Sequence, residues 1–186
     1  MKKIILSAAA LLLSAATHAE TYIGAVIGFS DIEANCGLTT SCDTSDTGVK
    51  IYGGYVLPQS PIPQLALEVG YINFGQARAS TTSLVVRTVD VSALTFGAAM
   101  RLKFTPALHG VGRLGGAYVS AEDNGVGLFG VGAKSKSGIE LYAGLGLEYA
   151  INKQFKVVGS ADFSSYDTGN QSGSVHLIGI GAQYGF

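Results

Sequence analysis

The chain has 186 residues, with 12 Lys and Arg against 13 Asp and Glu, three His, two Cys and no Trp. That length suits one domain, and a near-neutral charge with no basic block argues against a nucleic-acid partner. Glycine is abundant at 26 residues, yet without a Gly-X-Y period, which excludes a collagen-like chain.

The N-terminus reads as a targeting segment. Lys2 and Lys3 precede an apolar run from Ile4 to Ala16, and Thr17-His18-Ala19 supplies small residues before a cut. The run is shorter than the roughly 20 apolar residues a membrane-spanning helix needs. Residues 1–19 are therefore expected to be a cleaved signal peptide, and residues 20–186 one domain. No Cys follows the cut, so lipid attachment there is not expected. Removing two lysines leaves ten basic residues against thirteen acidic ones.

Every later apolar run is broken within a few residues by Gly, a charge or Ser/Thr. The apolar signal lies instead in alternation, the period of a strand. In the first segment Ile23, Ala25, Ile27 and Phe29 alternate with Tyr22, Gly24, Val26 and Gly28. In the next, Val49, Ile51, Tyr55 and Leu57 alternate with Lys50, Tyr52 and Gly54. Then Leu65, Leu67, Val69 and Tyr71 oppose Ala66, Glu68 and Gly70, and Leu94 to Phe104 oppose Thr95, Gly97, Arg101 and Lys103. The second half continues with Leu114 and Tyr118 against Arg113, and Ile139 to Tyr149 against Glu140, Tyr142 and Glu148. Last come Phe155 to Phe163 against Lys156 and Asp162, and Ile178 to Phe186 against Gly179, Gly181 and Gln183. About eight such segments are expected, each near the 9–11 residues of a tilted spanning strand.

Short turns are expected at Thr105-Pro106 and Asn152-Lys153, and a Pro-rich one at Pro58 to Gln64. All four prolines fall there, where no ladder donor is needed. Longer polar connections are expected at Asp31 to Asp46, about Gln76 to Thr88, Glu122 to Ser137, and Asp167 to Gly173. Short periplasmic turns with longer external loops are the asymmetry of an outer-membrane barrel.

A soluble barrel also alternates, with its apolar face inward. The inverted arrangement is favoured because the charges share a face with most glycines, as a crowded narrow interior requires. Phe29, Tyr71, Phe104, Tyr149, Phe155 and Tyr184 also sit near the ends of apolar faces, as interfacial girdles do. Inward cations Lys50, Arg101, Lys103, Arg113 and Lys156 then face Glu68, Glu140, Glu148 and Asp162. Such a nearly balanced set is expected to pair and plug the lumen. The fold class is thus an all-β, eight-stranded antiparallel transmembrane β-barrel, located in the cell outer membrane and surrounded by its lipids.

Cys36 and Cys42 fall in the first external loop, and in an exported chain they are expected to form a disulfide. A metal site would need Asp31, Glu33, Asp43 or Asp46 as further ligands and is the weaker reading. Neither His109 nor His176 is followed by the His-x-Ser pair of outer-membrane lipid A deacylases, so no enzyme and no cofactor are expected. Gly125-Val126-Gly127 and Gly130-Val131-Gly132 lack the Gly-Lys-Ser/Thr of a phosphate loop and read as flexible loop.

Gly53-Gly54-Tyr55, Leu67-Glu68-Val69-Gly70-Tyr71, Gly112-Arg113-Leu114-Gly115-Gly116, Gly146-Leu147-Glu148-Tyr149-Ala150 and the final Tyr184-Gly185-Phe186 together resemble the transmembrane domain of the OmpA and OmpX family of small barrels. The likeness spans essentially the whole chain after the leader, without the family's periplasmic wall-binding domain. It implies a lumenal charge network discussed as a gate, with Glu68, Arg101, Arg113 and Glu148 at matching positions. One position departs: where the family has an inward Arg in the seventh strand, this chain has Lys156 and Val158. The expected role is structural and surface-exposed. A small gated pore, for instance through rearrangement of Arg113 and Glu148, and an adhesin working through Ser80 to Ser83 and Glu122 to Ser137 are the alternatives. Expected partners are outer-membrane lipids, the barrel-assembly machinery reading the C-terminal Phe186, and host or surface ligands at the loops, with the protein a monomer.

Overall fold

The computed structural model describes residues 20–33, 41–58, 60, 64–81, 85–127, 130–167 and 172–186. Among them run nine strands: β1 (Thr21–Ile32), β2 (Ser41–Asp43), β3 (Ser45–Val56), β4 (Leu65–Thr81), β5 (Val85–Lys103), β6 (Leu108–Gly127), β7 (Gly130–Ala150), β8 (Phe155–Asp167) and β9 (Ser172–Gly185). No helix occurs among the described residues. All strands except the three-residue β2 form a closed antiparallel barrel, in the order β1-β3-β4-β5-β6-β7-β8-β9 and back to β1. Closure satisfies the backbone of every spanning strand, the condition hydrocarbon imposes.

The short turns form where side chains can replace missing ladder bonds. Thr105 Oγ1 accepts from the Ala107 and Leu108 amides, and Asn152 Oδ1 from those of Gln154 and Phe155. At the other end the structure departs from the expected loops. The stretches about 76–88 and 122–137 are mostly strand: β4 and β5 pair out to Thr81↔Val85, and β6 and β7 out to Gly127↔Gly130. The Gly-Val-Gly repeats expected as flexible loop are the tip of this hairpin, with Val126 opposite Val131. Part of the first external connection also pairs, since β2 continues the place of β3 beside β4, from Ser41↔Ser80 to Asp43↔Arg78.

The strands therefore differ in length. β1, β3, β8 and β9 have 12–14 residues, whereas β4 to β7 have 17, 19, 20 and 21. The surplus projects beyond the external rim as a four-stranded sheet. Gly75 lies where β4 bends, between the pairs Asn73↔Ser92 and Gln76↔Asp90. Its φ of 76° lies in the left-handed region, and an added Cβ would collide with Asp46. Asp46 Oδ2 also accepts the Gln76 amide at 2.8 Å, which fixes the bulge.

Around the barrel wall the apolar residues face outward. Ile27, Ile51, Leu67, Leu94, Leu114, Leu145 and Ile180 are all exposed. Tyr55, Phe104, Tyr149, Phe155 and Phe186 ring the periplasmic end, and Phe29, Tyr71 and Tyr118 the external end. From Ile139 to Tyr149 on β7 the outward face is apolar. The ten steps between them, at a rise of about 3.3 Å and tilted about 40°, span about 25 Å, which matches the apolar band of an outer-membrane barrel.

Candidate functional site

The interior has two layers. The periplasmic part is ionic because the inward positions of six strands, β3 to β8, deliver charged side chains to one narrow space. Arg113 Nε donates to Glu68 Oε2 at 2.7 Å, and the Tyr22 hydroxyl to Glu68 Oε1 at 2.5 Å. Arg101 Nη2 lies 3.5 Å from the same carboxylate, and its Nε donates to both oxygens of Glu148 at 3.0 and 3.2 Å. Lys156 Nζ completes this chain at 2.8 Å from Glu148 Oε2. A second group lies higher. Lys50 Nζ donates to Asp162 Oδ1 at 2.6 Å and to the Tyr142 hydroxyl at 2.9 Å. Tyr142 donates to the same Asp162 oxygen, and Ser160 to the other.

Aromatic rings fill what the ion pairs leave. The Arg101 guanidinium lies 4.2 Å from the centre of the Tyr22 ring and that of Arg113 5.1 Å from Tyr52, within cation–π range. Tyr52 and Tyr22 lie across the β1–β3 pair from Gly24 and Gly54, and any side chain there would overlap their rings. The space left among Lys50, Tyr52, Glu68, Arg113 and Tyr142 is about 10 Å³, room for about one water.

Above this, towards the external side, the lumen turns apolar. Ile32, Ile72, Phe74, Val89, Val91, Ala93, Val119, Tyr166, Val175 and Leu177 are buried against one another. Ser30 donates to the Phe74 and Asp46 carbonyls, which ties β1 to this layer. At its rim Glu33 accepts from the Ser174 hydroxyl at 2.6 Å, which holds its carboxyl below the usual range.

Of the residues singled out in the sequence, Lys50, Glu68, Arg101, Arg113, Glu148, Lys156 and Asp162 meet in the lumen. The pairing differs from the suggested one: Arg113 takes Glu68, and Glu148 takes Arg101 with Lys156. Glu140 stands apart, accepting from Ser165 at 2.7 Å near the external rim. Lys103 is exposed at the periplasmic rim. Sequence reading missed the phenols Tyr22 and Tyr142, although their alternation placed them inward. Cys36, residues 1–19 and the Cys42 side chain lie outside what is described.

Residues 4–186 match the outer membrane protein beta-barrel domain. The chain belongs to this family. It is an integral protein of the outer membrane, held in its lipids by the apolar band. No curated protein matches it in sequence. Its fold is similar to that of Ail, the attachment invasion locus protein of Yersinia pestis, at 18% identity and a TM-score of 0.61, covering 90% of this chain and 99% of that one. It is similar as well to neisserial surface protein A, at 12% identity and a TM-score of 0.63, covering 89% and 97%. OprG from Pseudomonas aeruginosa follows at 16% and 0.55, covering 90% and 96%.

Proposed function

We propose that this barrel is a sealed structural element of the outer membrane that carries a rigid sheet on the cell surface. The observation that carries the reading is the doubly closed lumen. An ion entering from the periplasm meets paired charges with about 10 Å³ of free space, then an apolar layer around Phe74 and Leu177 that offers no replacement for its hydration shell. The lumenal network Lys50, Glu68, Arg101, Arg113, Glu148, Lys156 and Asp162 thus serves as a filling, with Glu140 outside it, and no catalytic, cofactor or metal role is assigned. The test is single-channel conductance in a planar bilayer, using protein whose folding is verified by heat-dependent gel mobility. Silence is expected; discrete, reproducible openings overturn the reading in favour of a gated pore.

The projecting sheet of β4 to β7 supports a second role, contact with surface ligands. Ail has been captured with the heparin analogue sucrose octasulfate, but here Lys136 already holds Asp167 at 2.6 Å, so a polyanion is not singled out. Replacing residues 120–137 by a short turn should abolish such contact and leave the barrel folded. We further propose that residues 1–19 are a cleaved leader, that Cys36 and Cys42 form a disulfide, that Phe186 is read by the assembly machinery, and that the barrel is a monomer.

A further inference from the structure

The lipid-facing wall is not evenly filled. On β6 the outward glycines Gly110 and Gly116 are each covered by a ring from β5 or its end, Phe104 and Phe96, which an added Cβ would strike. Gly112 stands between them, and apart from its chain neighbours nothing lies within 4 Å of where its Cβ would be. Its cross-strand partners are Met100 and Leu145, and Leu65 pairs with Met100 in turn. One row towards the external side, Ala98, Leu114, Ala143 and Phe163 are paired neighbours across β5 to β8. These two rows enclose a trough of about 490 Å³, made deep by the small residues Ala98, Gly112 and Ala143.

Backbone geometry does not call for glycine at 112. The ladder passes through it without a bulge, and its φ lies outside the left-handed region that Gly75 occupies. A glycine inside a strand forgoes side-chain packing and marks a place where something else approaches closely. Here that something comes from the membrane, because the trough is continuous with the apolar wall that lipid already covers. Hydrocarbon gains little by leaving lipid for an apolar surface, so what a groove adds is close packing. A straight acyl chain lying in it touches a floor and two banks, where a chain on a convex wall touches one side.

The ends of the trough differ. Its lower end is Leu65, the first residue of β4, and the exposed Lys103 closes β5 on the same periplasmic rim. Beyond Phe163 at the upper end stand Glu140 and Asp167, and the nearby Lys136 is already held by Asp167. A phosphate-bearing head group is thus accommodated below and opposed above.

We propose that the trough binds one acyl chain of a phospholipid of the periplasmic leaflet, as a resident lipid distinct from the exchanging lipids around it. The inference is independent of whether the lumen conducts, since the trough lies on the outside of the wall.

The test is native mass spectrometry of the protein purified from outer membranes, with stepwise delipidation in mild detergent. One retained phospholipid per barrel is expected. Gly112→Leu should lose it, while Gly159→Leu, at an outward glycine with equally open surroundings that does not line the trough, should keep it, both with unchanged heat-dependent gel mobility. A second measurement leaves Gly112 in place. The chain has no Trp, so Leu145→Trp beside the trough and Ile180→Trp on the opposite wall each give a single reporter. In bilayers of a branched-chain phospholipid doped with a straight-chain brominated one, quenching should be stronger at Leu145→Trp than at Ile180→Trp. Equal quenching overturns the proposal. So does the absence of a retained phospholipid, its retention in Gly112→Leu, its equal loss in Gly159→Leu, or a lipopolysaccharide or a second copy of the chain in its place.

Discussion

The band within the membrane and the sheet above it are built from the same strands with opposite polarity. Within the band Leu94, Phe96, Leu114 and Leu145 face out, and Glu68, Arg101 and Arg113 face in. Above it Val89, Val91, Ala93, Val119 and Ala121 are buried inside, and Asp90, Ser92, Ser120 and Glu122 turn towards water. The pleat does not change between the two regions; the solvent does. Each region buries whatever its surroundings reject, so one continuous strand satisfies lipid below and water above.

Substitutions can break this comparison or sharpen it. The largest effect is expected in the ionic layer. Glu148→Ala strands Arg101 and Lys156 together, and should lower stability by about 3–5 kcal/mol in equilibrium urea unfolding. In the apolar layer Leu177→Ala removes a fully buried side chain and should cost about 2–5 kcal/mol by the same measurement, at the upper end if the site cannot collapse. A matched pair of outward substitutions tests the boundary itself. Ile180→Arg, near the middle of the band, should cost about 2–4 kcal/mol. Glu122→Arg, outward on the projecting sheet, should change stability by no more than about 0.5 kcal/mol. Equal costs for the two arginines would erase the proposed division between regions.

The barrel itself was legible because alternation survives in every spanning strand. The projecting sheet was not, and four dipeptides show why. Tyr71-Ile72, Ala93-Leu94, Tyr118-Val119 and Leu177-Ile178 each place two apolar residues side by side at the external rim. In each, one residue (Tyr71, Leu94, Tyr118 or Ile178) faces lipid and the other (Ile72, Ala93, Val119 or Leu177) the dry upper lumen, as Tyr71↔Leu94 and Leu94↔Tyr118 are paired neighbours on the outer face. Someone following the apolar face alone sees alternation fail there and infers the end of a strand. The strand in fact continues while the polarity of its faces exchanges. The lumen residues were legible one by one from their inward register, but their partners were not. Whether Arg113 meets Glu68 or Glu148 depends on barrel tilt and stagger, which no single segment encodes.

The β1–β9 seam has a consequence for how the molecule comes to exist. The barrel contacts from β3 to β9 join strands adjacent in the chain through local hairpins, whereas Tyr22↔Gly185 joins the two ends. Bringing distant segments together carries the greatest loop-closure cost, so this pairing should zip last, after the hairpins are in place. Until it does, β1 and β9 are two open edges whose amides and carbonyls lipid cannot satisfy. A chain shortened by β9 is thus no smaller barrel but an unfinished one, a substrate for proteolysis rather than a component of the membrane.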